Sequence, residues 1–214
     1  MANIYKELVI VSKLGLPVTL IYLTDVGMAM IATIAAGQYS AVDQAAVGLS
    51  NTLYLTTLTF FLMALSAVVP ITSQLDGANR KKEIGAVGRQ GILIALSFSA
   101  IVMMLILILR AIIIYLEFDP AIAPIAQEYL WVIAWVVPLD LLATLIVFLS
   151  TGLGKTIWPS MIAFSSLPIN GLFTWIFVFG KFGMPEMGGA GCAVAILATI
   201  SFRFLCNLSL LYLD

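Results

Sequence analysis

Gly91 through Leu116 reads GILIALSFSAIVMMLILILRAIIIYL, twenty-six residues that carry a single charge, Arg110. The stretch is continuously apolar and does not alternate, so it reads as a membrane helix and not as a barrel strand. A helix needs roughly 20 residues to cross about 30 Å of hydrocarbon. Five further runs of similar character lie at about 10–36, 45–70, 126–149, 159–179 and 190–212. Composition agrees with this reading. Apolar residues make up 62% of 214 residues, charged residues 10%, and the mean hydropathy is +1.12. A soluble domain carries about a quarter Asp, Glu, Lys and Arg. The expected fold is therefore all-α: a polytopic membrane protein with a bundle of six transmembrane helices over residues 1–214.

Several function classes drop out. The net charge of −1 offers no basic face for nucleic acid, and there is no histidine to serve as metal ligand or proton shuttle. No Ser/His/Asp, Cys/His or metal-ligand constellation exists, so neither enzymatic chemistry nor a cofactor is expected. Cys192 and Cys206 both fall in the last apolar run and read as small hydrophobic side chains. The first run is longer than the roughly 7–15-residue apolar core of a cleaved signal peptide.

Basic residues in short loops set the expected orientation. Lys6, Lys13, Arg80, Lys81, Lys82, Arg89 and Lys155, seven of the ten, belong to one side. The other side carries Lys181, the acids Asp43, Glu117, Asp119, Glu128 and Glu186, and Arg110, expected to snorkel outward. Both termini are expected in the cytoplasm of a cell whose inner (plasma) membrane the chain spans several times.

An ionisable group inside a membrane helix costs about 2.5–3.5 kcal/mol on insertion scales, so each one is a functional candidate. Asp25, Asp140 and Arg203 qualify. Counting the helical rise from the ends of the apolar runs puts Asp25 in the outer half of its helix and the other two at a common depth in the inner half. Two readings stay open: Asp140 and Arg203 pair to hold helices together, or at least one carboxylate binds a coupling cation or a cationic substrate. Asp25 finds no base at its own depth by this count. Pro17, Pro138 and Pro168 each remove a backbone hydrogen bond within a run, which suits a helix that bends. Gly152-Leu153-Gly154-Lys155-Thr156 ends like a phosphate-binding loop, but Leu149 stands where its first glycine belongs and a membrane helix precedes it.

Helix 2 ends in Val69-Pro70-Ile71-Thr72-Ser73-Gln74-Leu75-Asp76-Gly77-Ala78-Asn79-Arg80. This resembles the P-x-x-[AS]-Q-x-x-G-A signature of MATE (multidrug and toxin extrusion) transporters, with Pro70, Gln74 and Gly77 at its fixed positions. Arg89-Gln90-Gly91, Leu14-Gly15-Leu16-Pro17 and Ala45-Ala46-Val47-Gly48 follow the same pattern, as does Gly152 to Thr156. Trp175 to Gly183 and Pro185 to Gly191 are similar to the helix 5–6 connection of the NorM-type branch. The resemblance implies a twelve-helix transporter in two six-helix bundles that exchanges organic cations, drugs and toxins for sodium or protons. This chain has room for the N-terminal bundle alone, so a second half is expected, either a C-terminal bundle beyond Asp214 or another copy.

Carried over residue by residue, the resemblance is incomplete. The aspartate that the family places fifteen positions after the helix 1 proline is Ala32 here, counted from Pro17. The two polar residues that the family places four apart in helix 5 are Asn170 and Thr174. Asp140 stands where NorM-type relatives often have tyrosine. Asp25, seven residues before Ala32, lies on the same helical face about 10 Å along the axis. The expected cation- or substrate-binding set is thus Asp25, Asp140, Asn170 and Thr174, with Pro17 as the bending point and Arg203 as a structural or substrate-facing cation. Sodium is a possible coupling ion. Two alternatives to drug export stay open: a flippase for lipids or lipid-linked precursors from the same superfamily, and a non-transporting truncated fragment.

Overall fold

The computed structural model describes residues 2–115 and 120–213, with side chains described for 12–13, 15–115 and 120–210. Glu117, Asp119 and the side chain of Lys6 lie outside them. Seven α-helices follow in order: α1 (Ala2–Tyr39), α2 (Ala41–Leu65), α3 (Val68–Gly77), α4 (Lys81–Ile112), α5 (Ile122–Gly152), α6 (Ile157–Val178) and α7 (Gly189–Leu213). Short 3-10 turns at Ile113–Tyr115 and Lys181–Gly183 complete the described regular structure, which contains no strand. Among the described residues, six segments are long and apolar enough to cross a membrane, α2 and α3 together forming one of them.

Helix α5 is the spine. It packs on α2, α3, α4 and α7. Tyr129, Leu130, Ile133, Ala134, Val136, Val137 and Leu141 are all fully buried along it. By contrast Leu93, Met104, Phe164 and Leu205 are exposed on other helices, as side chains facing lipid would be.

The run expected at 45–70 is not one helix. It breaks at Ser66 and Ala67, between α2 and α3. Pro70 is the physical cause: it has no N–H for the carbonyl of residue 66, and its ring would strike that carbonyl in a continuous helix. The Ser66 carbonyl instead accepts from Val69 N at 3.0 Å, and Ser66 Oγ donates to Met63 O at 2.7 Å. The run expected from Gly91 starts ten residues earlier, at Lys81. Residues 81–90 include Lys81, Lys82, Glu83, Arg89 and Gln90, which lower the hydropathy without ending the helix, so a helix bounded by hydropathy is shorter than the helix itself. Arg110 does not snorkel free. Its Nε donates to Gln127 O at 3.1 Å, Gln127 Nε2 returns a bond to Arg110 O at 3.1 Å, and the guanidinium lies 5.1 Å from the Trp131 ring.

The stretches ending at Arg80 and at Lys155 turn out to be helix ends. Arg80 N donates to Leu75 O and Asn79 N to Asp76 O, with Asn79 in the left-handed region at φ 57°. Lys155 N donates to Ser150 O and Gly154 N to Thr151 O, with Gly154 at φ 72°. Each is the paired closure in which a left-handed residue satisfies the last carbonyls.

Asp43, read from sequence as a loop acid, is buried. Ser40 Oγ caps α2 by accepting from Val42 N and Asp43 N. Asp43 Oδ1 then accepts from Gly189 N at 2.5 Å, capping the first turn of α7. A carboxylate there also meets the positive end of the helix dipole.

A Cβ on Gly152 would lie 2.7 Å from Thr72 Cβ and 2.8 Å from Val69 O, so α3 seats on α5 only over a glycine. Gly85 in α4 has open space where a Cβ would go. In thermal unfolding of the purified protein, Gly152→Ala should destabilise by about 1–3 kcal/mol. Gly85→Ala should be neutral or stabilising by up to about 1 kcal/mol. Equal effects at the two sites would contradict the close seating of α3.

Candidate functional site

A cavity of about 660 Å³ opens between α1, α2, α5 and α7, with Ser66 and Val69 of the α2–α3 break on its wall. Most of its lining is apolar, including Val18, Ile21, Met28, Leu58, Val147 and Ile200. Four side chains give it chemistry: Asp25, Tyr54, Asp140 and Arg203.

They form two pairs. Arg203 Nη1 donates to Asp25 Oδ1 at 2.6 Å, and Tyr54 Oη donates to Asp140 Oδ2 at 2.6 Å. Of the readings left open, the pairing of Asp140 with Arg203 is not the one formed. The depth count that left Asp25 without a base is corrected: the arginine engages it. The true helix ends explain why. Asp25 lies fourteen residues before the end of α1 and Arg203 fourteen after the start of α7. Those two ends meet, since Tyr39 stacks edge-on with Phe179 and touches Gly188. At equal rise the two residues share one depth, which the shorter apolar runs concealed.

The pair is asymmetric. The Arg203 side chain is 11% exposed and that of Asp25 49%, so the cavity meets the carboxylate while the guanidinium is sheltered. Arg203 and Asp140 line the same cavity. Asp140 Oδ1 and Asp25 Oδ2 have no hydrogen bond among the described residues.

The other expected site residues lie elsewhere. Asn170 and Thr174 do not line the cavity. Both are buried, and Asn170 Nδ2 donates to Thr199 Oγ1 on α7 at 3.2 Å. Among the described residues, Asn170 Oδ1 and Thr174 Oγ1 have no partner. Ala32 is 3% exposed, and its carbonyl faces Cys192 Sγ of α7 at 3.5 Å. Pro17 sits within α1, one residue from the cavity-lining Val18, and the helix continues through it. Pro70, Gln74 and Gly77 sit on α3 away from the buried core. Sequence reasoning missed Tyr54, because a tyrosine is not charged near neutral pH and so does not stand out in an apolar run.

The model of the MatE family matches residues 17–176. The chain belongs to the MatE family. The multidrug resistance protein NorM of Photobacterium profundum is 35% identical over 195 residues, which is 91% of this chain and 43% of that protein. NorM of Vibrio cholerae serotype O1 is 35% identical over 190 residues, 89% of this chain and 42% of its own length. The chain thus spans under half the length of these relatives. An outward-facing multidrug resistance MATE family transporter of the MOP superfamily shares the fold with a TM-score of 0.81 at 15% identity, over 95% of this chain and 44% of that one. Family membership accounts for the six-helix bundle, and these relatives are transporters, not enzymes.

Tyr54→Phe removes the donor from Asp140 and leaves its oxygen to a mostly apolar wall. Thermal unfolding should show a loss of about 1–3 kcal/mol. An unchanged midpoint would mean that the 2.6 Å contact carries no weight.

Proposed function

We propose that this six-helix bundle is one half of a cation-coupled exporter of lipophilic organic cations, and that the cavity between α1, α2, α5 and α7 is its share of the substrate path. One observation carries the reading: a largely apolar cavity of about 660 Å³ is lined by two carboxylates against one arginine. An apolar wall takes the hydrophobic part of an amphipathic drug, and the excess acid favours a positive charge. The relatives' description as multidrug resistance proteins supports the same activity.

Coupling to sodium or protons follows the family pattern, with the acid function moved from position 32 to Asp25 and Asp140. Asn170 and Thr174 keep polar atoms inside α6, where a bare coupling ion would find oxygen ligands. The basic clusters at 80–89 and at Lys155 favour an orientation in the inner membrane with both ends of the bundle cytoplasmic. A second six-helix half closes the path, since pseudo-symmetric transporters hold substrate at the interface of their repeats.

A second reading has one observation in its favour: Arg203 lines the cavity, as a flippase for phosphate-bearing lipids would need. Its guanidinium is already engaged by Asp25, which leaves little positive field for a headgroup.

The test is efflux of a lipophilic cation from cells expressing the complete transporter. Asp25→Asn should slow initial efflux about tenfold, the worth of one charge-assisted contact. Unchanged transport and resistance would overturn the assignment of the cavity. Faster movement of anionic lipids in place of drugs would favour the flippase.

A further inference from the structure

Two carboxylates and one guanidinium share the cavity, and the count decides what can happen when a cation arrives. Arg203 is nearly enclosed, so it cannot be left without a counter-charge; an unpaired buried charge costs several kcal/mol. In the empty cavity Asp25 supplies that counter-charge through Oδ1, while the Tyr54 hydroxyl holds Asp140 through Oδ2. Asp25 is the half-exposed member of its pair and the group that an incoming cation meets. Asp140 keeps Oδ1 unbonded on the same cavity wall, and arginine has a long flexible stem.

We propose that Arg203 is a tethered surrogate cation, which an organic monocation displaces from Asp25 and which then takes Asp140 as its alternative partner. This rests on the reading of the cavity as a substrate path and adds to it the exchange by which a cation takes its place on Asp25. The empty cavity keeps one surplus carboxylate, Asp140, held by the neutral Tyr54 hydroxyl, and the monocation balances it: substrate on Asp25 and Arg203 on Asp140 when loaded. A compound with one positive charge and an apolar body matches what leaves. A neutral compound has nothing with which to displace the guanidinium, and an anion meets the exposed Asp25 carboxylate first. The exchange also moves a bond of α7 from α1 to α5. Substrate binding thereby frees α1, the helix that carries Pro17, from α7 at mid-depth. Tyr22 of α1 is the remaining titratable group on the cavity wall.

The experiment is equilibrium binding of tetraphenylphosphonium to the purified complete transporter, at constant pH and salt, through a double-mutant cycle. Arg203→Met removes the competitor and should tighten binding about tenfold; Asp140→Asn removes the displaced arginine's acceptor and should weaken it about tenfold. In the Arg203→Met background Asp140→Asn should change affinity less than about twofold, because no arginine then needs the acceptor. Arg203→Lys keeps the charge without the planar fork and should tighten binding by a smaller factor. It serves if Arg203→Met does not fold. The proposal is overturned if Arg203→Met or Arg203→Lys binds no more tightly than the parent, or if Asp140→Asn weakens binding equally in both backgrounds. Absence of saturable binding to the parent and all variants would overturn the substrate assignment of the cavity as well.

Discussion

Charge balance inside an apolar bundle is the constraint on which the rest of this structure depends. The Arg203 side chain is largely enclosed, and such a group in a membrane helix almost always has a partner. Its bond to Asp25 joins the first helix of the bundle to the last at mid-depth. Asp140, the remaining acid of the cavity, is held by a phenol and not by a cation. The cavity is therefore acidic by one carboxylate, and that surplus gives the site its chemistry.

Around this polar centre the bundle is held by ordinary means. Buried aliphatic side chains line α5, and the close seating of α3 on α5 requires Gly152. At the end where α1 meets α7, Asp43 joins the start of α2 to the start of α7 through Gly189. A bond at the helix ends and another at mid-depth thus restrain α7 against α1 and α2. Between them, Ala32 lies in the core with only a backbone carbonyl toward Cys192. Under the proposed function, the acid that the family resemblance places at position 32 is supplied instead from the cavity some 10 Å along α1.

How much of this was legible before the coordinates depended on the kind of signal. Apolar runs such as 91–116 made the fold class and the six crossings readable, because nothing else accounts for so few charges over so long a chain. The helix break at Ser66 and Ala67 was not readable from hydropathy: Pro70 acts four residues upstream of itself, inside a run that stays apolar. The three intramembrane charges were found by their cost, but their pairing was not. Depth counted from the edge of an apolar run is wrong by the length of helix outside it, and the stretch 81–90 shows how long that can be. Tyr54 escaped because a neutral hydroxyl carries no such signal. Asn170 and Thr174 were reached by resemblance alone, and the fold sets them against α7 away from the cavity.

The pairing of Arg203 is the central claim, and coupling free energies measure it most directly. Thermal unfolding of the ligand-free protein would compare two cycles, Asp25→Asn with Arg203→Gln and Asp140→Asn with Arg203→Gln. The Asp25–Arg203 cycle should give a coupling of about 1 kcal/mol or more, and the larger of the two. Additive behaviour in that cycle, or a larger coupling between Asp140 and Arg203, would contradict it.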